Sequence, residues 1–139
     1  MLRLMMDNLQ IGHQEGVEGN YSIVLEDWVP AVYAPPMELF KGKRAVSMLD
    51  FVEWINGRVF PPERVGAKQL LKELGLDDYR PFAIAMKTKA CLMEDPYWVA
   101  FSDSDNFRED TVRGAAGFPD MVMSGELSFL SGGKGRSLI

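Results

Sequence analysis

Leu2-Arg3-Leu4-Met5-Met6, then Asp7-Asn8, then Leu9-Gln10-Ile11-Gly12-His13: the chain opens with two apolar-rich runs on either side of a turn-forming dipeptide. This pattern predicts a β-hairpin. Gly16 and Gly19-Asn20 break the chain again, and the aromatic and β-branched content of Tyr21-Ser22-Ile23-Val24-Leu25 predicts a third strand. Pro30, Pro35 and Pro36 then keep the connection extended or looped.

Beyond that connection the apolar spacing becomes helical. Ser47-Met48-Leu49-Asp50 fits a variant capping box, followed by Met48, Phe51, Val52 and Ile55 on one face, and Asn56-Gly57 closes the helix. After Arg58-Val59-Phe60-Pro61-Pro62, residues Ala67, Leu70, Leu71 and Leu74 predict a second helix stopped by Gly75. A third, shorter helix is expected after Asp77-Asp78, with Phe82, Ala85 and Met86 facing inward and an end near Thr88. Pro96 argues against a helix over Tyr97-Trp98-Val99-Ala100-Phe101, which reads as a strand or extended packing segment. The fold expected is α+β, a small N-terminal antiparallel sheet packed with about three short helices. It forms one domain over residues 1–130, and the Gly-rich residues 131–139 form a flexible tail.

The 139 residues suffice for one core and are too few for two ordinary domains. The apolar start, Met1 to Met6, is interrupted by Asp7 too early for a signal-peptide core, and no run approaches the roughly 18 apolar residues of a membrane span. Cys91 is the only cysteine, which removes intramolecular disulfides and multi-thiolate zinc sites. The expectation is a cytoplasmic protein without a membrane partner.

The formal net charge of −5 argues against a general grip on nucleic-acid phosphates. Its placement is uneven. Glu94, Asp95, Asp103, Asp105, Glu109 and Asp110 face one base, Arg108, between positions 94 and 110, and the remainder of the chain is neutral.

Tests for chemistry fail one after another. Gly133-Lys134 is followed by Gly135 where a phosphate loop needs a hydroxyl, and Ser128 stands where it needs an earlier glycine. Asp103-Ser104-Asp105-Asn106 starts like a calcium loop, but Phe107 and Gly114 occupy ligand positions. A looser divalent-cation site from Asp103, Asp105, Glu109 and Asp110 competes with a simpler solvated acidic loop. His13 is the only histidine, and the sequence around Cys91 carries no cysteine-hydrolase signature. These readings predict no catalytic residue, no cofactor and no metal.

Two blocks bear a likeness to a known family. Residues 51–76, with Trp54-Ile55-Asn56-Gly57-Arg58-Val59-Phe60-Pro61 leading through Arg64 to Leu70-Leu71-Lys72-Glu73-Leu74-Gly75, resemble the segment preceding the kinase part of HipA-like toxin-kinase proteins of Firmicutes. Leu92-Met93-Glu94-Asp95-Pro96-Tyr97-Trp98-Val99 resembles that family's following Leu-Ser-x-x-Asp-x-Tyr-Trp-Ile signature, with Met93 and Glu94 departing from it. The stretch Asn106-Phe107-Arg108-Glu109-Asp110 is similar to the family's downstream acidic-aromatic run. Kinase elements do not follow the blocks, so the resemblance implies a free-standing, non-enzymatic regulatory module, of antitoxin or kinase-regulator type, that docks on a HipA-like kinase or another protein.

The alternative is a phage or mobile-element inhibitor of a nucleic-acid-binding defence enzyme, anti-CRISPR-like, that presents the acidic 94–110 surface in place of phosphates. Candidate partner contacts are Arg58, Arg64, Glu94, Asp95, Asp103, Asp105, Glu109 and Asp110. For Arg58 and Arg64 the competing role is pairing with the acidic stretch.

Overall fold

The computed structural model describes residues 1–121. Its centre is a five-stranded antiparallel sheet built from β1 (Arg3–Met6), β2 (Leu9–Val17), β3 (Asn20–Leu25), β4 (Ala45–Ser47) and β5 (Tyr97–Ala100), in the order β4-β3-β2-β1-β5. The first three strands are those the opening sequence predicts. β4 and β5 enlarge the expected N-terminal sheet from later in the chain, adding a strand at each edge. Leu4 pairs with Gly12 and Met5 with Gln10, so Ile11 is the extra residue of a β-bulge, and it is fully buried.

Among the described residues six short helices accompany the sheet where about three are expected: α1 (Met37–Phe40), α2 (Met48–Asn56), α3 (Ala67–Glu73), α4 (Pro81–Thr88), α5 (Phe107–Asp110) and α6 (Val112–Ala115). The three read from the sequence are α2, α3 and α4. Ser47 caps α2 by accepting from the Asp50 amide at 3.1 Å. Gly75, at φ 78°, ends the turn after α3, and the Leu76 amide returns to Leu71 O at 2.8 Å. The other three are single turns, too short for a periodic signal.

Alternating side chains feed two cores. On one face Leu4, Met6, Ile23, Leu25, Val46 and Val99 pack with Phe40 of α1, Phe51 and Ile55 of α2 and Ala85 of α4. On the other face Met5, Trp98 and Ala100 pack with Phe107 and Cys91, and Phe118 lies against them. β1 and β5 are therefore covered on both sides, which is why Leu4-Met5-Met6 and Trp98-Val99-Ala100 are apolar without alternation. Trp98 is fully buried and donates its indole N–H to Asp7 O at 2.7 Å.

Met86 departs from its expected inward position and stands exposed. Ile84 and Ala85 form the fully buried stripe of α4, and Met86, two positions beyond Ile84, lies roughly 200° around the helix from it. A Cβ on Gly114 would lie 1.8 Å from Phe107 O, so α5 and α6 approach as closely as they do because position 114 has no side chain. The domain boundary at 130 and the tail over 131–139 lie outside the described residues. Among the described residues no helix is long and apolar enough to cross a membrane.

Candidate docking site

Arg58, one residue past the end cap of α2, is 6% exposed. Its Nε donates to Ala90 O at 2.8 Å, Nη1 to Asp95 Oδ2 at 3.0 Å, and Nη2 to both Asp95 Oδ1 at 2.7 Å and Tyr97 O at 2.8 Å. The guanidinium also lies 4.5 Å from the Trp54 ring centre. Asp95 Oδ1 in turn accepts the Tyr97 amide at 3.0 Å, and the Tyr97 hydroxyl donates to Ala34 O at 2.6 Å. Burial, then the nearby Asp95 and Glu38 charges, push the Tyr97 phenol up to about 12. Arg58 and Asp95 thus face each other, fastening the end of α2 to the start of β5, and the two sequence blocks with the family likeness meet at this clamp.

Asp105 is likewise turned inward. Its Oδ2 accepts the Phe101 and Ser102 amides at 2.9 and 3.1 Å and pairs with Lys89 Nζ at 3.1 Å. Burial alone would raise its pKa; the Phe101 amide, Lys89 and Ser102 outweigh it and leave the carboxyl below its ordinary value. Asp110 accepts the Asn106 amide at 2.8 Å across the first turn of α5. A third internal pair, absent from the sequence reading, joins Asp7 to Arg113 of α6 at 3.0 Å, with both side chains largely buried.

These bonds divide the acidic stretch. Asp95 and Asp105 are held by cations within the fold, and Glu94, Asp103 and Glu109 stand exposed. Arg64 is exposed on the α2–α3 connection and makes no side-chain ion pair among the described residues. No group of three or more His, Cys, Asp or Glu side chains among the described residues is placed to hold a metal ion.

Two of the exposed candidates, Arg64 and Glu94, line one groove. Its walls come from the α2–α3 connection, α3, α4, the α4–β5 connection and α6, and it encloses about 430 Å³. Val59, Phe60, Leu70, Leu74, Ile84 and Val112 form its apolar lining, and Arg58, Arg64, Glu73 and Glu94 supply charge. A second groove of about 300 Å³ shares Leu74, Thr88 and Val112 with the first and continues past Lys87 to Glu109 and Asp110. Five of the eight candidates, Arg58, Arg64, Glu94, Glu109 and Asp110, line this joined channel; Asp95, Asp103 and Asp105 do not.

The channel exists because α3 is thinly packed. Only Leu71 of that helix is buried, so Leu70 and the following Leu74 remain half-exposed, although helical spacing puts both on the apolar face. Periodicity alone does not distinguish a side chain that fills a core from one that lines a groove. Val112, 51% exposed on a one-turn helix, gave no signal in the sequence beyond being an isolated apolar residue after a charged run. Thr88 Oγ1, in the wall common to both grooves, is buried without a hydrogen-bond partner.

Two further features lie elsewhere. Trp28, Val32 and Tyr33 on the connection between β3 and α1, and Met37 at the start of α1, are exposed, and Arg44 braces the connection by donating to Glu26 O and Val29 O at 2.7 and 2.8 Å. On the sheet face, His13 bridges Glu26, at 2.8 Å from Nδ1, and Glu15, at 2.6 Å from Nε2; these bonds, Glu26 first, raise its pKa above the ordinary value.

No family model, curated protein or solved structure matches the chain.

Proposed function

We propose that the chain is a non-enzymatic regulatory module that binds a partner protein in the channel between α3, α4 and α6. The observation that carries this reading is the channel itself, an open apolar surface with a charged rim. Interfaces of this kind bury an apolar centre within a polar border. A HipA-like kinase is the partner class that the sequence likeness suggests, and Arg64, Glu94 and Glu109 are the proposed rim contacts. Arg58 and Asp95 serve it indirectly by fixing the connection that carries Arg64.

The test is capture of the partner from a bacterial lysate treated with nuclease. Wild type is expected to retain a kinase of that class at near-equal amount, even at about 1 M salt, where exposed charges are screened within about 3 Å. Val112→Glu, on an exposed position that leaves both cores intact, is expected to lose it. Retention by the variant would refute docking in the channel.

The defence-enzyme inhibitor is supported only by the exposed Glu94, Asp103 and Glu109. It predicts instead a captured nuclease that is released by salt and by neutralising those three acids, with Val112→Glu indifferent.

A further inference from the structure

We infer that the segment held in the channel is basic and amphipathic: apolar side chains on one side and lysine or arginine along its edges. The inference rests on the docking reading above and adds the chemistry of the occupant.

The rim charges decide the sign. Arg58, in the wall and 6% exposed, is neutralised by Asp95, and Asp110 keeps its charge, since it accepts only the neutral Asn106 amide. That leaves Arg64 and Lys87 against Glu73, Glu94, Glu109 and Asp110. Of these acids, Glu94 makes no ion pair among the described residues, Glu73 accepts only the neutral Gln69 amide, and Glu109 only Asn106. The rim therefore carries excess negative charge on a chain of net charge −5, and both fields attract a cationic segment. An acidic segment would meet the same carboxylates at close range.

The lining decides the rest. Leu70, Leu74 and Val112 offer an apolar floor over the fully buried Ile84, as in grooves that receive one face of an amphipathic helix.

The experiment uses the full ¹⁵N-labelled chain and three synthetic peptides of equal length: alternating Lys/Leu on a helical pattern, the same pattern with Glu for Lys, and the same with Ser for Leu. The Lys/Leu peptide is expected to shift the Leu74, Thr88 and Val112 amide signals saturably, leaving Phe51 and Trp98 in place. Binding of the Glu/Leu and Lys/Ser peptides should be weaker by about tenfold or more. The Glu94→Lys/Glu109→Lys double variant should lose about tenfold for the Lys/Leu peptide, and Glu53→Lys, on α2 outside the channel, should lose nothing. Equal binding of the Glu/Leu or Lys/Ser peptide, or an unaltered affinity in the double variant, would overturn the inference. The docking reading would still stand if Val112→Glu abolished partner capture. No shift at the channel with any peptide would overturn the inference, and retention of the natural partner by Val112→Glu would overturn the docking reading as well.

Discussion

Arg58→Met separates a fold-holding arginine from a partner-binding one. The substitution keeps much of the aliphatic stem and removes the guanidinium, and with it hydrogen bonds to Ala90 O, Tyr97 O and both Asp95 oxygens. Breaking a fully buried pair by deleting one member costs about 3–5 kcal/mol, because the other is left without its partner. Asp95 is 34% exposed and regains some hydration, which places the expected loss at the lower end, about 3 kcal/mol. The lost contact with Trp54 adds to it. In a chain of this size that corresponds to a fall in melting temperature of about 10 °C, and in urea to a midpoint lower by about 1–2 M. The control is Arg64→Met, on an exposed side chain, expected within about 0.5 kcal/mol of wild type. Equilibrium urea unfolding of both variants, followed by tryptophan fluorescence, gives the comparison. A loss below about 1 kcal/mol for Arg58→Met, or equal losses for the two variants, would refute the clamp assigned to Arg58.

Gly114→Ala places a Cβ 1.8 Å from Phe107 O and 2.9 Å from Arg108 Cα, both backbone atoms that cannot move without disturbing α5, so a loss above about 3 kcal/mol is expected by thermal unfolding. Stability should also respond to pH through His13. Its folded pKa is raised, so the contribution of the Glu26–His13–Glu15 bridge is fully present below the unfolded value of 6.5 and is lost as pH rises through the folded value; His13→Gln should flatten that slope in urea unfolding measured across neutral pH. Asp105 acts in the opposite sense: its folded pKa is lowered, so its stabilisation is complete above the unfolded value of 3.8 and disappears as pH falls through the folded one, a step that Asp105→Asn should remove. Of the three tryptophans Trp28 is 48% exposed, Trp54 partly buried and Trp98 fully buried, so Trp28→Phe should remove the largest single share of the acrylamide-quenchable fluorescence.

The elements legible in the sequence are those with an unambiguous local cause. Asp7-Asn8 forms the first turn, with Asp7 at φ 48°, Ser47 caps α2, and Gly75 ends the α3 turn. β4 was not legible because three residues carry no period and acquire strand geometry only by pairing with Ser22, Ile23 and Val24. Nor was the second core: Met5 and Phe107 are far apart in sequence, and only the β1–β5 pairing, which sets Met5 opposite Trp98, brings them to one face. For the candidate site, charge density between 94 and 110 was visible, but its division was not. Whether an aspartate faces water or a cation depends on long-range neighbours such as Arg58 and Lys89, and the sequence orders these residues without placing them.

The most direct test of docking in the channel is site-specific photo-crosslinking in living bacteria, with a photoreactive side chain at position 112, inside the channel, or at position 103, on the exposed acidic turn. The account predicts a discrete adduct with a single protein from position 112 and none from position 103. An adduct formed from position 103 alone would contradict it.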